Sequence, residues 1–470
     1  MEFKLDVPIP LSEFLKYPKT ISFIKNCSLY DSYNISKIAL DTRSYKGKGG
    51  IFFALKGKFF DAHRFIPKII SKVDFVVISQ KDCINNKYKN KFILVDDTTL
   101  ALDYLAWLYR KSFKNLKMIT VAGSNGKTTT KEIIKEIFSA KYNTVASKDN
   151  QNNLIGVAYT LFNLTKNTDF CITELGISLP NEMEILAKTT EPDYVVITNI
   201  AKEHLEFLTD IETVFKEETK ILKYLNSKGF AILNKDDKFL KKIKNINIKW
   251  YSLKNKTAHV YAKDIKYKTT HTTFTAFIHS NNFFEELKLK TNLLGEHNIY
   301  NILAATTLAF FCGIDKQTIK KTIEKFKPVP MRGERFKINK NLIINESYNA
   351  NPDSMKKTIL EFQKIFCDKK RVLVLGDMLE LGNNSPIEHK KLKDYIDFKN
   401  TKYIFLVGNE ILHLYNTIKT KQNVFYYQTA DDKFFKDFKE FLENNKNLTV
   451  LIKSSHGIGL WKIVEKIKPS

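Results

Sequence analysis

The sequence predicts an α/β protein of three domains: a small α/β amino-terminal domain, a central domain on a parallel sheet, and a carboxy-terminal Rossmann-like α/β domain. Three observations lead there. The chain has 470 residues, which at roughly 100–200 residues per domain is room for several domains. From residue 118 onward, short apolar runs alternate with stretches of helical periodicity, in two successive series. Between the series, Pro328 and Pro330 interrupt any helix.

Before residue 115 the strand-like runs are 50–55 and 75–79, and 100–111 reads as an amphipathic helix leading out of the first domain. An apolar strand at 118–122 opens the central domain, followed at once by a glycine-containing loop and a helix over 127–140. The runs 170–175, 194–199 and 230–234 are almost wholly apolar, as strands of a parallel sheet covered on both faces should be. Residues 258–275 and 285–289 read as a β-meander or hairpin insert, and 298–311 as a helix. Beyond the prolines, strands at 342–345, 371–375, 402–407 and 448–452, with a helix over 355–366, make a second doubly wound unit. The expected boundaries are 1–115, 116–327 and 328–470.

The apolar fraction of 43% suffices for sizeable cores, and no apolar run approaches the roughly 20 residues of a membrane span. Acidic residues and prolines occupy the amino terminus, where a signal peptide needs unbroken apolar sequence, so a soluble cytoplasmic protein is expected. The five cysteines, Cys27, Cys83, Cys171, Cys312 and Cys367, are scattered without metal-binding spacing; reduced, mostly buried thiols are expected. The net charge of +25 comes from lysine spread along the whole length, with six arginines, which argues against a nucleic-acid groove.

The strongest local signal is Thr120-Val-Ala-Gly123-Ser-Asn125-Gly126-Lys127-Thr128-Thr129-Thr130. It follows a strand and opens a helix, the context of a phosphate-binding loop, and makes the central domain P-loop NTPase-like. Glycines let backbone amides close on phosphate oxygens, and the helix amino terminus adds positive potential. Lys127 would reach the β- and γ-phosphates, and the Thr128 hydroxyl would join a Mg²⁺ shell. The spacing is shorter than the general pattern, since Val121 stands where its first glycine would be. Glu174 ends a strand beside this loop, where a carboxylate can hold Mg²⁺ directly or through water. ATPases, GTPases, kinases and ligases share such a loop, so other motifs must decide the chemistry.

Those motifs are Asp41-Thr-Arg43, the run 51–57 with Phe60-Asp61-Ala-His63, Asn150-Gln-Asn152-Asn153, Thr198-Asn199-Ile200-Ala-Lys-Glu-His204, Leu294-Gly295-Glu-His297-Asn298-Ile-Tyr-Asn301, Met331-Arg332-Gly-Glu-Arg335, Asn345-Glu346-Ser-Tyr348-Asn349-Ala-Asn351-Pro352, the run 372–382, and Ser454-Ser455-His456-Gly457. Together they resemble the Mur ligase family from about residue 41 to residue 457, and within it the members that add D-alanyl-D-alanine to a UDP-linked muramoyl tripeptide. The resemblance implies a uridine-nucleotide region around Arg43, and Asn152 and Asn153 near the muramoyl substrate. It implies Mg²⁺ on Glu174 and a second metal ion on His204. Asn298 and Asn301, three apart on one helix face, would contact adenine. Arg332, with Arg335 in reserve, would reach the ATP phosphates from the third domain. Glu346 would contact the ribose, where the family usually has aspartate. Tyr348, Asn349 and Asn351 would bind substrate, and 454–457 would face the incoming amine.

One departure stands out. About fourteen residues after the histidine, the family usually has a lysine carbamylated on its amine, whose carbamate binds the second metal. The ungapped register puts Glu218 there. Glu218 then replaces the carbamate outright, or, if the helix is shifted, Lys216 or Lys220 is modified.

The resemblance thus implies an ATP- and Mg²⁺-dependent amide ligase with Lys127, Glu174, His204, Glu218 and Arg332 as its catalytic set; a monomer is expected, although the sequence does not fix the oligomeric state. Its substrates would be UDP-N-acetylmuramoyl-tripeptide and D-alanyl-D-alanine, joined through an acyl phosphate. No protein base for the amine stands out. Folylpolyglutamate synthases share only the central part; the first domain and residues 348–355 argue against that reading. A nucleic-acid-stimulated NTPase would leave both flanking domains unexplained.

Overall fold

In the strands Phe170–Glu174, Phe230–Asn234 and Leu448–Lys453 every residue is buried, as strands covered on both faces must be. They belong to two different sheets of a computed structural model that describes residues 1–22, 32–57, 60–280 and 283–468. Cys27 lies outside the described residues.

Among the described residues there are three sheets. The first orders its strands Glu2–Pro10, Asn34–Ala39, Ile51–Phe53, Phe75–Ile78, Phe92–Val95 and Thr20–Ser22, with a parallel middle and an antiparallel strand at each edge. Pro8 and Pro10 are tolerated because their strand is at an edge, and its register slips between Lys4 and Ile9. The helix Thr98–Lys111, capped by the Asp97 carboxylate, leads out of this unit. It packs on the helix Glu182–Thr190, and one apolar core runs through the first and central units.

The central sheet has nine strands. Lys117–Ala122 sits between Phe170–Glu174 and Tyr194–Ile197, all parallel. Chain order reverses there, with Thr144–Ala146 and Phe170–Glu174 on one side and the later strands on the other. Such a switch point opens a crevice outside the strand carboxyl ends, and the phosphate loop occupies it. Val260–Tyr267, Thr272–Ser280 and Phe283–Thr291 extend the sheet as the expected antiparallel meander. The helices Lys127–Ser139 and Glu296–Phe311 cover one face together.

The third sheet orders Glu334–Ile338, Asn341–Glu346, Leu448–Lys453, Lys370–Gly376, Thr401–Val407 and Val424–Tyr427, parallel except for the first pair. The helix Asp432–Asn444 covers it with Phe434, Phe438 and Leu442, spaced four apart on one stripe.

Several strands escape the sequence pattern: Glu2–Pro10, Asn34–Ala39, Thr144–Ala146, Ile248–Ser252 and Val424–Tyr427. All are short, interrupted by polar residues or proline, or at edges, so their apolar runs are weak. The expectation of mostly buried thiols needs correction. Of the four described cysteines, all free, Cys171 is buried, Cys83 and Cys312 are half-buried, and Cys367 is exposed. Among the described residues no helix is long and apolar enough to cross a membrane.

Candidate active site

The phosphate loop is held from behind. Gly123 and Gly126 have φ of +106° and +84°, in the left-handed region that favours glycine. A side chain at Gly126 would also strike the Asn301 amide, which packs against the loop from the helix Glu296–Phe311. The Ser124 amide donates to the Asn199 carbonyl (2.8 Å), and the Asn199 side-chain amide donates to the Asn125 carbonyl (2.8 Å). The Gly123 amide donates to Glu218 Oε2 at 2.7 Å.

In front of the loop is a cavity of about 800 Å³, lined by the carboxyl ends of both parallel sheets. Lys127, Thr128, Asn152, Glu174, Glu203 and His204 line it from the central domain; Arg332, Glu346, Tyr348, Glu380, Lys453 and His456 line it from the third. The cavity wall therefore exists only where the two domains meet.

Charges are concentrated there. Burial disfavours the Lys127 ammonium, but Glu203, Glu218 and Glu174 outweigh it and raise its pKa. Lys127 Nζ lies 3.8 Å from Glu203 Oε2. Burial pushes the Glu218 carboxyl up to about 7, against the pull of Lys127. On the opposite wall, burial lowers the pKa of Lys453, whose Nζ donates to the Asn349 carbonyl (3.1 Å) and lies 3.9 Å from Glu346. The Arg332 guanidinium lies 3.7 Å from the centre of the Tyr348 ring, a cation–π contact. Behind Tyr348, the His456 ring stacks on Trp461 with centroids 5.0 Å apart.

Contacts between the domains ring the cavity. His204 Nδ1 is 2.5 Å from Glu380 Oε2, His297 Nδ1 is 2.6 Å from Glu361 Oε2, and Asn351 Nδ2 donates to Asn125 Oδ1 at 2.9 Å. Burial opposes protonation of His204, but its bond to Glu380 and the charge of Glu203 prevail and raise its pKa.

Residues 121–309 match the Mur ligase middle domain, and residues 331–456 match the Mur ligase glutamate ligase domain. A UDP-N-acetylmuramoyl-tripeptide–D-alanyl-D-alanine ligase from Buchnera aphidicola subsp. Baizongia pistaciae is 33% identical over 467 residues, 98% of each chain. The chain belongs to the Mur ligase family. The Haemophilus influenzae ligase of the same name is 32% identical, covering 93% of this chain and 94% of its own. The solved structure of MurF from Acinetobacter baumannii superposes with a TM-score of 0.83 at 24% identity, covering 98% of this chain and 99% of that one. MurF from Thermotoga maritima in complex with ADP gives 0.77 at 23% identity, covering 92% and 96%.

In this Mur ligase, the buried oxygens without a hydrogen-bond partner among the described residues include Thr128 Oγ1, Glu174 Oε2, Glu203 Oε1 and Glu218 Oε1. Unpaired buried oxygens beside a phosphate loop suit a hard divalent cation. No ready cage of three His, Cys, Asp or Glu side chains exists among the described residues. Mg²⁺ needs none, since it is usually held by one or two carboxylates together with phosphate oxygens and water.

Most expected site residues of the central and third domains meet at this cavity. Asn153 lines it while capping the helix Leu154–Leu161. Thr129, Asn125, Gly126, Asn298, Asn301 and Asn349 line it too. Arg335, the reserve choice, is spent elsewhere: its guanidinium donates to the carbonyls of Thr269, Thr270 and Asn292. Four expected site residues do not line the cavity: Gly123, Asn351, Glu218 and Arg43. Gly123 does not line the cavity, because its amide is turned back to Glu218. Asn351 does not line it either; its side chain caps the helix Pro352–Ile365 and ties that helix to Asn125. Glu218 stands behind the loop, wholly buried, with one oxygen on Gly123. Lys216 is exposed, and Lys220 Nζ is engaged by Glu217 and Asn181. Arg43 is outside the cavity, exposed, and paired with Asp41 at 2.7 Å. Glu203, Glu380 and Lys453 were not singled out from the sequence, although each lies within or next to a quoted motif.

Proposed function

We propose that this chain is an ATP-dependent ligase joining D-alanyl-D-alanine to UDP-N-acetylmuramoyl-tripeptide, giving the pentapeptide, ADP and phosphate in peptidoglycan precursor synthesis. It works in the cytoplasm as a monomer. Residues 1–115 hold the UDP end of the muramoyl substrate, with Arg43 swinging from Asp41 to the diphosphate. Residues 116–327 bind ATP, and 328–470 bring the amine substrate. One observation carries the reading: a phosphate loop with Lys127 shares a single cavity with Arg332, Tyr348 and His456 of the third domain. The names of the full-length relatives support it.

The chemistry sets the task. A tripeptide carboxylate must approach the γ-phosphate of ATP, and these are two anions. Lys127 and Arg332 offset the repulsion from opposite walls, and Arg332 leaves the Tyr348 face to reach the phosphate. The carboxylate oxygen bonds to phosphorus and ADP leaves, giving an acyl phosphate. The amine of D-alanyl-D-alanine then attacks the activated carbonyl, loses a proton, and expels phosphate. Thr128 and Glu174 would hold Mg²⁺, which would supply charge neutralisation on the phosphates. Asn152, whose amide donates to Glu174 Oε1 at 2.9 Å, keeps that carboxylate aimed. Glu218 provides the anionic oxygen that a carbamylated lysine gives elsewhere in the family, and needs no CO₂; with His204 it would hold a second ion. Asn298 and Asn301 shape the adenine end, Glu346 takes the ribose, and the wall from Tyr348 to His456 receives the amine substrate. Closure of the third domain over the phosphate loop would keep water from the acyl phosphate.

The test is phosphate release with ATP, Mg²⁺, UDP-muramoyl-tripeptide and D-alanyl-D-alanine, with mass spectrometry of the product. Release that needs both substrates and yields the pentapeptide is the expected result. ATP hydrolysis without that product, across several third residues of the tripeptide, would overturn the choice of acceptor.

A further inference from the structure

We propose that Glu380 of the third domain is a positioning residue for His204, completing the second metal site only when the third domain is docked. The inference rests on His204 as a metal ligand, the reading given above. Four observations carry it.

The first is the contact itself, 2.5 Å between His204 Nδ1 and Glu380 Oε2, across 176 positions of sequence. It occupies one ring nitrogen and leaves Nε2 as the free one, 3.9 Å from Glu203 Oε2. The second is backbone conformation. His204 has φ of +50° and Glu380 has φ of +61°, so both partners are non-glycine residues in the left-handed region. Residues are held in that region when surrounding structure over-determines them, and such strain collects at functional sites. The third is a second bond in the same register: the Glu206 amide donates to the Glu380 carbonyl at 3.3 Å. The fourth lies next door, where Glu203 Oε1 is buried without a hydrogen-bond partner. A cation presented to Nε2 would meet this oxygen too.

The physical logic is that of a carboxylate behind a metal-binding imidazole. A carboxylate accepting the Nδ1 proton sets the tautomer and the ring plane, and makes Nε2 a better donor to the metal. Here the carboxylate belongs to a different domain from the imidazole. Undocking of the third domain would release the ring, and the metal would lose an oriented ligand. Metal affinity and domain closure thereby become linked.

Mn²⁺ replaces Mg²⁺ as the probe. Binding of Mn²⁺ to the full-length protein loaded with a non-hydrolysable ATP analogue is followed by the electron-paramagnetic signal of the free ion. Glu380→Ala should weaken one Mn²⁺ site by about 10–100-fold and leave the other unchanged. Glu380→Gln keeps an acceptor oxygen and should restore most of the affinity; it also serves if the alanine variant fails to fold. The double variant His204→Ala with Glu380→Ala should bind no more weakly than His204→Ala alone. If His204→Ala weakens Mn²⁺ binding and neither Glu380 variant does, Glu380 is an interface contact and the proposal falls alone. Additive losses in the double variant overturn it in the same way. If His204→Ala leaves Mn²⁺ binding unchanged, the metal-ligand reading falls and takes the proposal with it.

Discussion

Arg332 and Arg335 are three residues apart and have opposite surroundings. Arg332 faces the cavity with its charge over the Tyr348 ring, whereas the Arg335 guanidinium is used up by three main-chain carbonyls of the central domain. Arg332→Ala should therefore lower turnover by about 10³–10⁵-fold with little change in melting temperature, as expected for an arginine that reaches a transferring phosphoryl group. Arg335→Ala should instead lower the melting temperature; unchanged turnover in Arg332→Ala would reject its role. Glu218 gives the second test at this scale. It is wholly buried with one oxygen on Gly123 and the other unpaired, while Lys216 is exposed and Lys220 is engaged by neighbours. Activity should be independent of bicarbonate, lost in Glu218→Ala, and kept in Lys216→Ala and Lys220→Ala; rescue by bicarbonate or loss in either lysine variant would refute the replacement. Both arginines and Glu218 were visible in the sequence. Their surroundings were not, since three carbonyls from residues 269, 270 and 292 cannot be read from a motif at 331–336.

At the scale of elements, the helix Pro352–Ile365 shows how one cap joins two domains. Asn351 Oδ1 accepts the Ser354 amide, the Ser354 hydroxyl returns the favour to the Asn351 amide, and Asn351 Nδ2 donates to Asn125 in the phosphate loop. Aspartate can make the cap but has no amide to donate. Asn351→Asp should thus keep the melting temperature and raise the KM for ATP, whereas Asn351→Ala should also cost about 1 kcal/mol of stability. Equal KM values for wild type and Asn351→Asp would show that the tie to Asn125 is idle. From sequence this helix is expected to start at 355 and Asn351 to bind substrate, so the cap goes unread although asparagine before proline is its signature; the second bond, spanning 226 positions, has no local signal.

Across the whole molecule, the first and central units share a core, and one acid is buried between them. Asp103, on the helix Thr98–Lys111, accepts the Thr189 hydroxyl at 2.6 Å, and burial raises its pKa to about 7 from 3.8, against that hydrogen bond. A carboxyl whose folded pKa is raised binds its proton more tightly when folded, so its contribution to stability is full below about pH 4 and is lost as pH rises through 7. The loss is on the order of a few kcal/mol. Asp103→Asn should flatten the fall in melting temperature between pH 5 and 8 and leave the variant the more stable at pH 8; parallel pH curves would refute this. The same scale separates what sequence and tertiary structure each contribute. Sequence alone determined the strand–helix alternation, the meander, the phosphate loop and the family, because apolar burial recurs with local periods and a phosphate loop is built from contiguous amides. Only the tertiary structure decided that Gly123 and Asn351 support the loop rather than line the cavity, and that Glu203, Glu380 and Lys453 join the site. Those residues come from strand ends and loops far apart in the chain, and they converge because two parallel sheets turn their carboxyl ends toward one another.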